Sequence, residues 1–254
     1  FCRNYPASRY LKTAQGDRLR FTGRRARHEA LGAQNMRLGI YGGSFDPVHY
    51  GHLLLAESSR EQCRLDEVWL LPAAVPPHKT ERTMTSAKRR IEMLKLAIGG
   101  HDALKVSTIE VERGGVSYTV ETLAAIHQQL PQAELFLLMG ADTLYDLPNW
   151  REPRRICELA VPVVVQRSGS PAPDLGVLQP LASTAQLTAI EQNQVTMPII
   201  ELASSEIRRR VAASLSGTPA FFDIIATGWP IFSIRQPLTT WNDHRRCRQE
   251  ESTP

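Results

Sequence analysis

MRLGIYGGSFDPVHYGHLLLAE, residues 36–57, decides the fold. The apolar run at 38–41 has the length of a buried strand, and the Gly- and Pro-bearing stretch GGSFDPVHYGH at 42–52 cannot continue it. Apolar residues at helical spacing follow at 52–63. Strand, loop, helix is the opening of a βαβ unit. The chemistry of the loop points the same way. His49 and His52 are three residues apart, with the second at the start of a helix, so both can face one anion. Gly42, Gly43 and Gly51 let the backbone approach a phosphate with no Cβ in between. Neither GxxxxGK[ST] nor GxGxxG follows a strand, so neither a P-loop ATPase nor a dinucleotide-binding dehydrogenase is indicated.

Downstream, short apolar runs keep alternating with amphipathic ones. Strands are expected at 68–71, 104–111, 135–139, 161–165 and 197–200. Helices are expected at 88–98, 117–130, 153–159 and 205–213, with Ser117 as the N-cap of the second. Ile91, Leu94 and Ile98 should form the buried face of the 88–98 helix, and Lys88, Arg89 and Arg90 a solvated one. The Pro pair in AAVPPHK, 73–79, makes that segment a loop, Asp46 before Pro47 reads as turn chemistry, and residues 168–193 read as polar and weakly periodic. The pattern predicts an α/β fold with a doubly wound parallel sheet. In such a sheet the ligand sits at the strands' carboxyl ends, so GGSFDPVHYGH and the GAD at 140–142 should lie close together.

Composition suits an ordinary globular enzyme: of 254 residues, 42% are hydrophobic and 22% charged. No apolar run reaches the roughly 18 to 20 residues that span a bilayer. Cys2, Cys63, Cys157 and Cys247 form no CxxC pair, which argues for reduced thiols and a cytoplasmic setting over a zinc ribbon or disulfide scaffold. The net charge of +4 is unevenly placed. Residues 1–35 hold eight Arg/Lys against two acids, and residues 36–254 hold 22 against 24. The folded part is therefore not basic, and nucleic-acid binding is disfavoured. Three segments are expected: a basic, irregular extension at 1–35, a single domain at 36–214, and a divergent tail at 215–254, with translation starting at Met36.

GGSFDPVHYGH resembles the (T/H)xGH signature of the nucleotidyltransferases, and SSEIRRR at 204–210 resembles their second signature, ISSTxIR. PPHK at 76–79, SYTVETL at 117–123, ELFLLMGADTLYDLPNW at 134–150 and VVVQR at 163–167 narrow the resemblance to bacterial nicotinate mononucleotide adenylyltransferase. That resemblance covers about residues 36–214. It implies a Rossmann-like nucleotidyltransferase fold and adenylyl transfer from ATP, with Mg²⁺, to nicotinate mononucleotide. Pantetheine-phosphate adenylyltransferase shares the first signature but lacks the segment ending in Trp150. A non-catalytic nucleotide-binding module is the alternative from another class.

By the resemblance His49, His52 and Arg208 would be catalytic. Together with Gly42, Ser44, Phe45 and Ser204 they would meet the phosphates of ATP, while Gly140, Asp142 and Arg167 would lie near its nucleoside. Lys79 would approach the mononucleotide phosphate, Thr119 would offer its backbone N–H to the nicotinate carboxylate, and Trp150 would stack on the pyridine. No protein metal ligand is expected. Ala203 and Ser205 stand where the family often has Ser and Thr, and residues 215–254 depart from its pattern.

Overall fold

A computed structural model describes residues 35–77 and 84–212. The expectations for 1–34, Lys79 and 215–254 lie outside the described residues.

Six strands form one parallel sheet: β1 (Arg37–Gly43), β2 (Glu67–Pro72), β3 (Leu104–Val106), β4 (Glu134–Gly140), β5 (Val161–Arg167) and β6 (Val195–Met197). Their order is β3-β2-β1-β4-β5-β6, so the chain winds outward in one direction from β1 and then in the other from β4. The helices are α1 (Tyr50–Gln62), α2 (Ala87–Ala97), α3 (Ile109–Arg113), α4 (Thr119–Gln129), α5 (Ala141–Leu144), α6 (Pro153–Leu159), α7 (Thr184–Gln192) and α8 (Ser204–Ala212). Side-chain alternation along β4 shows why both faces are covered. Leu135, Leu137 and Met139 pack with Val120, Leu123 and Ile126 of α4 and Ile156 of α6 on one face. Phe136 and Leu138 pack with Leu55 and Ala56 of α1 and Leu94 of α2 on the other. A central parallel strand is thus apolar throughout, as its continuous hydrophobic run requires.

Four local expectations need correction. The strand expected to reach 111 ends at Val106, and 109–113 is helical. Ser107 N–H makes a last rung to Leu70 O at 3.0 Å, after which a helical turn carries Glu110 inward to accept the Thr122 hydroxyl at 2.9 Å. Packing of one buried carboxylate outweighs the strand preference of Val111 and its neighbours. Secondly, Ser117 does not cap α4; Tyr118 holds that place, and the Ser117 hydroxyl accepts Ala74 N–H at 2.9 Å. Thirdly, the last strand runs 195–197 and stops before Pro198, which has no N–H to give. Fourthly, residues 168–193 hold more structure than their polarity suggests. A 3₁₀ turn occupies Leu175–Leu178, and α7 starts at a reciprocal Ser183–Gln186 capping box.

The Glu110–Thr122 contact is testable. Thr122 is 2% exposed, and its hydroxyl also accepts from Arg113 at 3.0 Å. Thr122→Val keeps the shape and strips that bond from a buried carboxylate, at a cost of about 1–3 kcal/mol. A lower urea midpoint is expected, and an unchanged midpoint would show the contact to be idle.

Candidate active site

The β1–β4 ladder ends at Ile40–Leu137, three residues before either strand does. β1 stays paired with β2 as far as Gly43–Pro72, and β4 with β5 as far as Gly140–Val165. The two halves of the sheet therefore part at their carboxyl ends, at the place where strand order reverses. Gly42 and Gly140 stand on the two sides of that crevice, and a Cβ on either would meet no atom within 4 Å. GGSFDPVHYGH and GAD share this edge, as expected from the sequence. Asp142, in α5, and Arg167, at the end of β5, are exposed there.

His49 and His52 form the start of α1. His49 is the N-cap; its Nδ1 accepts Gly51 N–H at 3.1 Å, and His52 Nδ1 accepts His49 N–H at 3.2 Å. The rings lie against each other with centroids 3.8 Å apart, and the His52 ring rests edge-on to Phe45 at 5.1 Å. Because Nδ1 of His49 accepts, the proton of the neutral ring sits on Nε2, which makes His49 a donor on its other side. Burial lowers its pKa to about 4. In the ligand-free protein at neutral pH it is thus an uncharged N–H donor, and fixed positive charge must come from elsewhere.

Arg208 supplies one such charge. It donates to Asp46 O, while the Ser204 hydroxyl donates to Pro47 O at 2.9 Å. The start of α8 is in this way docked on the loop between β1 and α1, and the two signatures become one site. Phe45, within that loop, has φ of 45° and is 1% exposed. Its ring fills the space beside Gly43, where a Cβ would come within 3.1 Å of it. Among the described residues, no protein acceptor takes the N–H of Phe45 or of Asp46. Successive unclaimed N–H groups in a turn of this hand make a concavity for an anion.

Sequence reasoning misread Arg90, while Asp46 stands in the turn expected of it. Arg90 is not on a solvated face but 1% exposed, and Asp46 is 6% exposed with its carboxylate accepting Thr85 N–H at 3.3 Å. The available signal was position: Arg90 precedes Leu94 by one helical turn and shares its inward face.

On the other side of β1 the loop at 73–77 is held to the start of α4, since Ser117 N–H donates to Val75 O at 2.9 Å. Thr119 is the first residue of α4, where no side chain caps the helix. Glu121 in the first turn is bound by Arg151 at 2.8 Å and approached by Arg113 at 3.9 Å, and Arg151 also lies over the Tyr118 ring at 4.7 Å. Arg151 thereby ties its neighbour, the half-buried Trp150, to the segment that carries Thr119.

Comparison with known proteins agrees with this geometry. Residues 40–210 match the cytidylyltransferase-like family. The chain is similar to a probable nicotinate-nucleotide adenylyltransferase of Thermomicrobium roseum, at 44% identity over 176 residues that cover 69% of this chain and 80% of that protein. One from Rhodopirellula baltica is 39% identical over 188 residues, covering 74% and 88%. Among solved structures, the fold is similar to Plasmodium falciparum nicotinic acid mononucleotide adenylyltransferase complexed with NaAD, with a TM-score of 0.51 at 17% identity, over 68% of this chain and 83% of that one. With both signatures on one crevice and these relatives over most of its length, the chain belongs to the cytidylyltransferase-like family, in its nicotinate-nucleotide adenylyltransferase branch.

Proposed function

We propose that this protein joins the adenylyl group of ATP to nicotinate mononucleotide, releasing pyrophosphate and the deamido dinucleotide, a late step of NAD synthesis. The observation that carries the reading is the docking of Ser204 and Arg208 onto Pro47 and Asp46, beside the start of α1 and the parted ends of β1 and β4. An anion there meets a helix N-terminus, unclaimed backbone N–H groups, a neutral histidine donor and a guanidinium at once. Nucleotidyl transfer needs this and no protein nucleophile, because it rests on positioning and charge stabilisation. The mononucleotide phosphate attacks the α-phosphorus in line; His49, His52 and Arg208 take the charge that grows on the bridging and leaving oxygens. Gly42, Ser44, Phe45 and Ser204 border the triphosphate in this reading, and Gly140, Asp142 and Arg167 the nucleoside.

Mg²⁺ belongs here to the substrate and offsets charge on the triphosphate. Phosphate oxygens and water would supply most of its ligands, as is usual for Mg²⁺ at nucleotide sites. We assign the catalytic domain to residues 36–214, Lys79 to the mononucleotide phosphate, and the reaction to the cytoplasm. Free, buried thiols at Cys63 and Cys157 suit that compartment. Among the described residues no helix is long and apolar enough to cross a membrane. Chromatography after incubation with ATP, Mg²⁺ and nicotinate mononucleotide should reveal the deamido dinucleotide and an equal amount of pyrophosphate. The absence of pyrophosphate release with every candidate acceptor, mononucleotide or pantetheine phosphate, would defeat the reading in favour of a binding module.

A further inference from the structure

Arg90 belongs to α2, outside the crevice and both signatures, yet its guanidinium binds three backbone carbonyls. Nε donates to Thr85 O at 2.9 Å, one terminal nitrogen to Ser44 O at 2.8 Å, and the other to Ala73 O at 2.7 Å. Those carbonyls lie on two connections: Ser44 follows β1, while Ala73 and Thr85 stand at the two ends of the connection from β2 to α2. A trans peptide holds its C=O and N–H in opposite directions. Among the described residues the single cis bond is Asp46–Pro47, so the peptides after Ser44 and Ala73 are both trans. At Ala73 the consequence is visible: the carbonyl turns to Arg90, and the Ala74 N–H turns the other way, to Ser117 Oγ at 2.9 Å. At Ser44 the same geometry turns the Phe45 N–H away from Arg90, and among the described residues no protein acceptor takes it.

We infer that Arg90 is a positioning residue for the donor nucleotide: it fixes the Ser44–Phe45 peptide so that the N–H groups of Phe45 and Asp46 present to a phosphate. The inference rests on the adenylyl-transfer reading only for the reaction that reports it, since the anion nest is read from the backbone alone. Arg90 and Arg208 grip the loop from two helices, Arg90 at Ser44 O and Arg208 at Asp46 O. Burial disfavours the charge on Arg90, and the Asp46 carboxylate opposes that loss. Lysine cannot stand in, because one ammonium does not span three carbonyls as a planar guanidinium does.

The test uses the full chain as Arg90→Lys and Arg90→Met, with Leu94→Ala as the control. Leu94 is 0% exposed on the same helix but packs in the core, so its loss reports what loosening α2 does by itself. Calorimetric binding of inorganic pyrophosphate with Mg²⁺ and kcat per folded molecule are read for each. Both should fall about ten- to a hundredfold in the Arg90 variants and stay within about twofold of the parent in Leu94→Ala. Should Arg90→Met not fold, Arg90→Lys decides alone. Parental affinity and turnover in Arg90→Lys, equal losses in Leu94→Ala, or a parent that does not bind pyrophosphate would each overturn the inference. A parent that binds pyrophosphate but makes no dinucleotide would defeat the adenylyl reading, and pyrophosphate affinity would still decide the role of Arg90.

Discussion

His49→Asn is expected to leave the fold standing while kcat falls about a hundred- to a thousandfold, the usual loss of one donor aimed at developing charge. Asparagine separates the capping role of His49 from the catalytic one proposed for it. As N-cap of α1, His49 accepts Gly51 N–H through Nδ1, and asparagine is among the best residues for that task. It lacks the Nε2–H, which projects from the far side of the imidazole ring. His49→Ala would lose both, with about 1 kcal/mol of extra destabilisation from the missing cap. His52→Ala should lose a comparable share of turnover together with the acceptor for His49 N–H. A second signature lies in the pH dependence of stability. Burial puts His49 at about 4 in the folded, ligand-free protein, against about 6.5 when unfolded. Between those values the unfolded chain binds a proton that the folded one refuses. Stability is therefore complete above about pH 6.5 and falls as pH drops toward 4. Urea unfolding at pH 7.5 and 5 should show that fall, and His49→Asn should lack this residue's share of it. Near-parental turnover in His49→Asn would leave His49 with the capping role alone.

The parallel sheet was legible because its signals are redundant. Each of β1, β2, β4 and β5 is a short apolar run after which the period changes, and no single residue bears the inference. The crevice was legible for the same reason: GGSFDPVHYGH and GAD each follow such a run, so topology brings them to one edge. What escaped depends on one partner distant in the chain. Arg90 reads as a solvated charge until Ser44, 46 residues away, and Ala73, 17 away, offer it carbonyls. Ser117 reads as a helix cap until Ala74 N–H, 43 residues away, claims its hydroxyl. The turn at Ile109 reads as strand because Thr122, the partner of Glu110, lies beyond the window over which periodicity is judged. The capping box that starts α7 was different: Ser183 and Gln186 were both in view, within a segment too polar to invite a helix.

Nicotinate mononucleotide should be used better than its amide by about ten- to a hundredfold in kcat/KM, and Trp150→Ala should weaken the use of both while leaving that ratio nearly intact. The ratio follows from the start of α4. No side chain caps it, so its first N–H groups offer donors and partial positive charge. Glu121 in that same first turn would repel a carboxylate, but Arg151 at 2.8 Å and Arg113 at 3.9 Å neutralise it and leave cationic side chains in excess. A pyridine carboxylate accepts every hydrogen bond this end can give. An amide presents an NH₂ where donors already point, and the charge-assisted bond it forfeits is worth about 1.5–3 kcal/mol. In the proposed reaction Trp150 would act on a different part of the substrate: stacking engages the ring face, which acid and amide share, and does not read the substituent. Its loss should therefore raise KM for the two mononucleotides in proportion. Four kcat/KM values, for two acceptors with the parent and with Trp150→Ala, decide both halves. Equal use of acid and amide by the parent would remove the carboxylate role from Thr119 and the α4 terminus. A ratio that collapses in the variant would mean that Trp150, packed half-buried next to Arg151, holds that terminus in place and so takes part in the choice.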